Sequence, residues 1–162
     1  MIKPELRRLS WRNPLHWLAT GFGSGLSPWA PGTMGTLMAI PLYLLLPPLS
    51  WPYYLLLLFV GAVAGIWICE SATRAIGVED HGGIVWDEII GYGITMLLAP
   101  PGWPWWVIGF LLFRLFDIVK PWPIRWFDQH LSGGLGIMLD DVVAGIFACL
   151  CLQFLAHFVL SL

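Results

Sequence analysis

Long uncharged apolar stretches alternate along this chain with short blocks that carry its charges. No Lys, Arg, Asp or Glu occurs from Leu37 to Ile68 or from Ile89 to Phe113, and Val142 to Leu162 is uncharged as well. Prolines interrupt the first two stretches, and because a proline inside a helix costs about 3 kcal/mol, each of these stretches predicts two helical arms. The pattern therefore predicts two proline-broken helical hairpins followed by a C-terminal helix.

The segment before the first hairpin has a different composition. Gly23 to Thr36 is rich in Gly, Pro, Ser and Thr, which favours a loop. The first arm of the hairpin would have to begin near Thr33 to cross a hydrocarbon core of about 30 Å, whereas Trp51 to Cys69 is long enough alone. We therefore expect an all-α fold of about five helices, preceded by a Gly/Pro-rich N-terminal loop.

Composition indicates that this bundle lies in a membrane. The chain has 162 residues, which is enough for one domain (1–162), and it is 58% hydrophobic but only 11% charged. A typical soluble domain is roughly 25% charged. Its net charge of −2 argues against nucleic acid as a partner. We therefore expect an integral membrane helical bundle that contacts the lipid bilayer.

The charged blocks also predict an orientation. Every Lys, Arg, Asp and Glu falls in one of four blocks, and an up-and-back path through the hairpins puts all four blocks on one face. The first block contains Lys3, Arg7, Arg8 and Arg12, so the positive-inside rule predicts that the N-terminus is cytoplasmic. We expect a multi-pass protein with its charged face in the cytoplasm and its C-terminus on the outer side.

Two pairs of adjacent acids are candidate metal ligands. Asp87 and Glu88 open one apolar stretch, and Asp140 and Asp141 open another. Each pair could simply favour a helix N-terminus through the helix dipole, by roughly 0.3–1 kcal/mol per acid. Four carboxylates that converge at a membrane surface would nevertheless repel each other without a cation, and oxygen-only ligands suit Mg²⁺. We predict that these four acids form a catalytic site with Mg²⁺ as the cofactor.

Two further segments could hold a phosphate group. Arg114, Asp117 and Lys120 are spaced three residues apart, so they could form a salt-bridge ladder, or the two cations could bind phosphate oxygens. The glycine-rich segment offers backbone N–H groups and the hydroxyls of Ser24 and Thr33, although it could equally be a plain surface turn. It lacks the Walker pattern, which argues against a nucleotide ligand.

Other residues are candidates for a proton carrier or an extra ligand. They are Glu70, Asp80, His81 and Asp117. His81 follows Asp80 and precedes the first acid pair, so it could carry a proton or be an ordinary interfacial histidine. Glu70 is unfavourable at the C-terminal end of a helix, which suggests that it has a partner such as Arg74 or a metal ion.

Four motifs together resemble a known family. The phosphatidylglycerophosphatase A family, whose members are bacterial inner-membrane lipid phosphatases, has motifs similar to GSGLSPWAPGTMGTL, GIVWDEIIG, FRLFDIVKPWPI and GGLGIMLDDVVAG. These motifs occur in the family's order between about Gly21 and Gly145. The positions that match the family's acidic motifs are Asp87, Glu88, Asp140 and Asp141.

The resemblance implies an activity and a location. The activity is the Mg²⁺-dependent hydrolysis of phosphatidylglycerophosphate to phosphatidylglycerol and phosphate, which is the last step of phosphatidylglycerol synthesis. The location is the bacterial inner (cytoplasmic) membrane, where the orientation above leaves the C-terminus in the periplasm. Either water or an aspartate could attack the phosphorus atom. We therefore expect a phospholipid phosphatase that works at the cytoplasmic membrane interface.

Two alternatives use the same residues differently. Carboxylates beside apolar helices also mark the ion paths of transporters, so an ion-coupled membrane transporter is one alternative. Transporters place such groups near the bilayer midplane at broken helices, whereas the breaks here are uncharged and the acids lie at one edge. A non-catalytic lipid-binding or assembly protein is the other alternative, and it would not need both acid pairs.

Overall fold

The computed structural model describes residues 3–160, which form helices, turns and loops without a β-strand. The α-helices are, in chain order, α1 (Pro14–Ala19), α2 (Pro31–Leu45), α3 (Trp51–Ile76), α4 (Trp86–Thr95), α5 (Trp103–Val119), α6 (Ile124–His130) and α7 (Gly133–Leu160). Two 3₁₀ turns, Pro4–Arg8 and Ser24–Leu26, precede α2. The predicted all-α class is confirmed.

The number of helices differs from the expected five. The helices α2, α3, α4, α5 and α7, which have between 10 and 28 residues, correspond to the two hairpins and the C-terminal helix. The helices α1 and α6 are additional and have only 6 and 7 residues. The α1 helix begins where Asn13 Oδ1 accepts a hydrogen bond from the backbone N–H of Leu15, a local cap that the apolar pattern does not reveal.

Both proline breaks occur where the sequence predicts them, but the second hairpin is unequal. The α4 helix has 10 residues, about 15 Å, whereas α5 has 17. The short α4 helix is stabilised at its end by α7, because Gln153 Nε2 donates a 2.8 Å hydrogen bond to the carbonyl oxygen of Leu97. This bond satisfies a backbone acceptor that a helix end leaves unpaired. The α4 helix is therefore a half-length helix held against α7.

The Gly/Pro-rich loop expected at Gly23–Thr36 is partly helical. It contains the Ser24–Leu26 turn and the start of α2, which begins at Pro31. Proline is favoured at the first position of a helix because the N–H group that it lacks would be unpaired there anyway. The expected loop is therefore helical in part, and the first arm does begin before Thr33. With 15 residues, however, α2 is only about 22 Å long and is not among the helices long enough to cross a membrane.

The segment Ser132–Gly136 (SGGLG), whose glycine-rich composition predicts a turn, is also helical, since α7 begins at Gly133. The backbone N–H of Gly134 donates a 2.9 Å hydrogen bond to Glu70 Oε2, so an acid on α3 caps α7 from a distance. Asp140 and Asp141 consequently lie about two turns inside α7, not at its start. The helix dipole therefore does not account for this acid pair.

The α7 helix is the centre of the bundle and packs against α3, α4, α5 and α6. It comes into backbone contact with α4: a Cβ atom at Gly145 would lie 2.5 Å from the carbonyl oxygen of Gly91. Thr95 Oγ1 adds a hydrogen bond to each of these two carbonyl oxygens, at 2.9 Å for Gly91 and 3.4 Å for Gly145. The backbones of α4 and α7 therefore touch.

Two helices are long and apolar enough to cross a membrane. They are Trp51–Ile76 and Gly133–Val159, with mean hydropathy values of 2.1 and 2.2. Both helices carry large apolar side chains that face outwards, including Phe59, Trp67 and Phe154. An apolar exterior of this kind is unusual for a soluble monomer and suits contact with lipid.

Candidate active site

Three of the four predicted acids meet inside the bundle. Asp87 and Glu88 in the first turn of α4 and Asp141 on α7 each offer one carboxylate oxygen, and these oxygens all lie within 4.8 Å of one another. The three residues are buried, with exposed fractions of 8%, 8% and 3%. We call these three residues the acid trio.

The acid trio has oxygen atoms without a partner. Within the described part of the chain, Asp87 Oδ1, Glu88 Oε2 and Asp141 Oδ2 are buried and accept no hydrogen bond. Carboxylates at this separation repel each other strongly once they are shielded from water, and buried charges are normally paired or bound to a metal. A donor set made only of carboxylate oxygens suits Mg²⁺. The residues present therefore fit a divalent cation.

The close contact between α4 and α7 brings the acid trio together. Gly91 follows Asp87 by one helical turn and so lies on the same face of α4. A Cβ atom at Gly91 would be 2.9 Å from the backbone oxygen of Asp141. The residue before α4 is also fixed, because the backbone N–H of Val85 donates a 2.8 Å hydrogen bond to the carbonyl oxygen of Ala19.

Asp140, the fourth predicted acid, faces a lysine. Its Oδ2 atom accepts a 2.6 Å hydrogen bond from Lys120 Nζ, and Lys120 also forms an ion pair with Asp128. Burial lowers the pKa of Lys120, but the hydrogen bonds from its ammonium group to Asp128 and Asp140 outweigh burial, and the pKa is raised above its usual range. Lys120 therefore remains a cation at neutral pH, and its partner Asp140 directly precedes Asp141 of the acid trio.

Arg114, Asp117 and Lys120 do not share one helix surface. The α5 helix ends at Val119, and Lys120 adopts a φ of 44°, so its side chain turns towards Asp140 on α7. Asp117 instead forms an ion pair with Arg114. The contact predicted from the three-residue spacing therefore forms between Arg114 and Asp117 but not between Asp117 and Lys120.

The side chain of Arg114, on α5, reaches both α4 and α2. Besides its ion pair with Asp117, its Nη1 atom is 3.9 Å from Glu88 Oε1 and donates a 3.5 Å hydrogen bond to Thr36 Oγ1. Its Nε atom is buried and has no partner among the described residues. Arg114 thus has the ion pair that the structural alternative requires, and it also keeps one donor free beside the acid trio.

The two hydroxyl candidates differ in their surroundings. Ser24 Oγ donates to the carbonyl oxygen of Gly21 at 2.9 Å, which uses its proton inside the turn. Thr33 is half-buried in the first turn of α2. Of these two, only Thr33 lies on the helix that contacts Arg114.

Gly32 and Thr36 belong to the same surroundings, and the sequence analysis missed both. A Cβ atom at Gly32 would lie 2.3 Å from Glu88 Oε1 and 3.3 Å from both terminal nitrogens of Arg114. Gly32, the first glycine in APGTMGT, was the available signal. A glycine in a loop-forming composition does not by itself indicate a close contact with a distant side chain.

The remaining candidates lie outside the acid trio. Glu70 pairs with Arg74 at 2.7 Å and caps α7, so its predicted partner is confirmed. His81 Nδ1 accepts a 3.1 Å hydrogen bond from the backbone of Gly83, and burial, together with the charge of Lys3, lowers the pKa of His81. Neither residue contacts the acid trio through these bonds.

The larger of two cavities lined by the described residues is remote from the acid trio. A cavity of about 420 Å³ lies between the two hairpin loops and is lined by Tyr43, Tyr54 and Trp106, at the ends of α2 and α4 that are remote from the acids. A smaller cleft of about 110 Å³ is lined by Asp80 and Asp140, among others. The smaller cleft is the one that reaches Asp140, the residue before Asp141 of the acid trio.

Comparisons with known proteins agree on one family. The family model described as phosphatidylglycerophosphatase A matches residues 17–156. A protein named phosphatidylglycerophosphatase A from Escherichia coli (strain K12) is 50% identical over 151 residues, which is 93% of this chain and 88% of that protein. One with the same name from Haemophilus influenzae (strain ATCC 51907 / DSM 11121 / KW20 / Rd) is 46% identical over 145 residues, covering 88% and 89% of the two chains.

A third relative carries a different name. A protein from Bacteroides thetaiotaomicron named putative phosphatidylinositol-3-phosphatase is 44% identical over 140 residues, which is 81% of this chain and 86% of that protein. No solved structure matches the chain. The similarity therefore extends to proteins named for two lipid phosphates with different headgroups.

Proposed function

Because the chain belongs to the phosphatidylglycerophosphatase A family, we propose that it hydrolyses the terminal phosphate of phosphatidylglycerophosphate. The products are phosphatidylglycerol and inorganic phosphate. The chain is an enzyme, a phosphatase, as the names of its relatives state. The observation that carries the proposed reaction is a buried acid trio with unpartnered oxygens beside the guanidinium of Arg114.

The acid trio would hold Mg²⁺. When bound, this ion supplies positive charge to the phosphate and lowers the pKa of a water molecule. The ion is needed because a phosphomonoester carries almost two negative charges at neutral pH, which a bare carboxylate cluster would repel. Asp117 lies close to Asp141 and could complete the set of acids, while Asp140 is engaged by Lys120.

Arg114 and Lys120 would bind the phosphate from two sides. The unpartnered Nε–H of Arg114 is a donor in the planar fork that matches two phosphate oxygens. Lys120 would act as a point charge, and its ammonium group already binds Asp140, the residue before Asp141. These donors would stabilise the negative charge of the transferring group as the bond to the leaving oxygen breaks.

The site would lie at the cytoplasmic face of the bacterial inner membrane, in a multi-pass bundle. Two apolar helices, α3 and α7, are long enough to span, and the acids lie near the N-terminal part of α7. The basic residues Arg7 and Arg12 are exposed at the N-terminus, which supports a cytoplasmic position for it. The acyl chains of the substrate could then stay in the bilayer during the reaction.

A phosphate-release assay tests this proposal. The purified chain in detergent is given phosphatidylglycerophosphate, with Mg²⁺ either added or chelated, and phosphatidylinositol 3-phosphate serves as a second substrate. We expect release from phosphatidylglycerophosphate that stops on chelation and resumes when Mg²⁺ is restored. No release from this substrate would refute the proposal, and release from phosphatidylinositol 3-phosphate alone would assign the chain to the other headgroup. Ion flux by the same protein in sealed liposomes, without phosphate release, would support the transporter alternative.

Replacing Arg114 separates its two roles. We expect Arg114→Ala to lower kcat/KM by about 10²–10³-fold, because one preorganised donor to a developing charge is worth that much. Arg114→Lys keeps the charge but loses the fork, so it should recover only part of the activity. Arg125→Ala removes an exposed arginine and is the control. Unchanged kinetics in Arg114→Ala would refute its role in phosphate binding and leave only its structural ion pair with Asp117.

A further inference from the structure

The first turn of α2 approaches the site so closely that even a methyl group at Gly32 would displace a side chain of the site. A Cβ atom at Gly32 would lie 2.3 Å from Glu88 Oε1, which is well inside van der Waals contact, and 3.3 Å from each terminal nitrogen of Arg114. Glycine at this position therefore allows α2 to contact both the carboxylate and the guanidinium. Alanine would require at least the carboxylate to move.

The same turn has backbone donors that its own cap does not use. Ala30, at the N-cap, has no side-chain oxygen, and Pro31 has no N–H. The next N–H groups along the helix are those of Gly32 and Thr33, which a helix start leaves without an intrahelical acceptor. The positive end of the α2 dipole therefore lies next to Glu88 and Arg114.

The two side chains that face this turn also have unused groups. Glu88 is 8% exposed, and its Oε2 atom has no hydrogen-bond partner in residues 3–160. The buried Nε–H of Arg114 is unpaired in the same way. Thr36, one turn further along α2, accepts a hydrogen bond from Arg114 Nη1, so the helix also holds the guanidinium in place.

From these contacts we infer that Gly32 is a positioning residue, and that the first turn of α2 forms one wall of the phosphate site. The absence of a side chain at Gly32 sets the positions of the Glu88 carboxylate and the Arg114 guanidinium, and leaves room for a phosphate oxygen beside the backbone of α2. This inference rests on the proposed phosphatase function and adds a residue from α2, a helix that carries none of the acid trio.

The fold should tolerate alanine at this position. The atoms that the new methyl group would meet are the ends of two flexible side chains, which can move by rotation about their own bonds. At Gly35, one turn later, a new methyl group would instead meet Cβ of Val85 at 2.5 Å, close to the backbone. Gly32→Ala is therefore expected to displace functional groups without separating helices, and alanine also favours the helix.

The test compares Gly32→Ala with the wild-type chain and with Gly82→Ala, where the nearest atom, Pro31 Cγ, would be 3.8 Å away. Three quantities are measured in detergent: the melting temperature, kcat and KM on phosphatidylglycerophosphate, and the affinity for Mg²⁺ by calorimetry without substrate. We expect Gly82→Ala to match the wild type. We expect Gly32→Ala to keep its melting temperature, to lose at least about tenfold in kcat/KM, and to bind Mg²⁺ at least about threefold more weakly.

A second variant shows whether the effect passes through Glu88. Glu88→Asp shortens the side chain by one methylene and makes room for the methyl group, so Gly32→Ala should cost little further Mg²⁺ affinity in that background. An equal loss in both backgrounds would overturn the inference, as would wild-type activity and affinity in Gly32→Ala. A fall in the melting temperature that Glu88→Asp does not relieve would also overturn it and assign Gly32 to packing. If the wild-type chain itself releases no phosphate, the proposed function fails, but Mg²⁺ affinity still tests Gly32.

Discussion

Asp141→Asn should reduce phosphate release from phosphatidylglycerophosphate by at least about 10³-fold. A metal ion that neutralises charge in the transition state is worth several kcal/mol, and each 1.36 kcal/mol is a factor of ten in rate. Asparagine has nearly the same size and shape as aspartate, so α7 should pack as before. The loss would therefore come from removing one of three carboxylates that lie within 4.8 Å of one another.

The stability of the same variant gives an independent check. In the absence of metal, replacing one carboxylate of the acid trio removes repulsion between buried like charges. The melting temperature of Asp141→Asn without Mg²⁺ should therefore equal or exceed that of the wild type. Glu79→Gln makes the same chemical change at an exposed acid and should leave both activity and stability unchanged. Near-normal turnover in Asp141→Asn would contradict the role of Asp141 as a metal ligand.

Gly145→Ala should damage both the fold and the activity. A methyl group at this position would lie 2.5 Å from the carbonyl oxygen of Gly91, and the obstacle is backbone in the interior of a helix. The two helices would have to separate, which typically costs about 1–3 kcal/mol for an overpacked core. Because α4 carries Asp87 and Glu88, separation would also move both acids away from Asp141. We expect a fall in the melting temperature together with a loss of phosphate release.

The matched control is Gly61→Ala on α3, which also faces α4. Its methyl group would meet the Cδ1 atom of Ile90 at 2.7 Å, the end of a side chain that can adopt another rotamer. Gly61→Ala should therefore fold and retain activity. Wild-type stability and activity in Gly145→Ala would show that the contact between α4 and α7 does not determine the geometry of the acid trio.

The parts of the fold that the sequence predicts correctly are those set by local pattern. The hairpin breaks follow from prolines, whose effect on a helix is intrinsic to the residue. The up-and-back path expected from these breaks would bring distant charged blocks near one another, and Asp87, Glu88 and Asp141 do converge. The family follows from motifs that are read directly from the sequence, and the comparisons confirm it.

The parts that the sequence does not predict depend on contacts between distant residues. Glu70 caps the start of α7 although it lies 64 residues from Gly134, and the glycine-rich residues there are helical although their composition predicts a turn. Lys120 does not lie on the same helix surface as Arg114 and Asp117, because α5 ends one residue earlier. It therefore pairs with Asp140 and not with Asp117. Gly32 is informative only once Glu88 and Arg114 are placed beside it. None of these partners can be identified from spacing along the chain.

The most direct measurement is a calorimetric titration of Mg²⁺ into the purified chain without substrate. It compares the wild type with Asp141→Asn and with Glu79→Gln. If the acid trio holds the ion, the wild type and Glu79→Gln will show the same saturable binding, and Asp141→Asn will lose it. Equal binding by all three proteins, or no binding by any of them, would contradict the assignment of a metal ion to Asp87, Glu88 and Asp141.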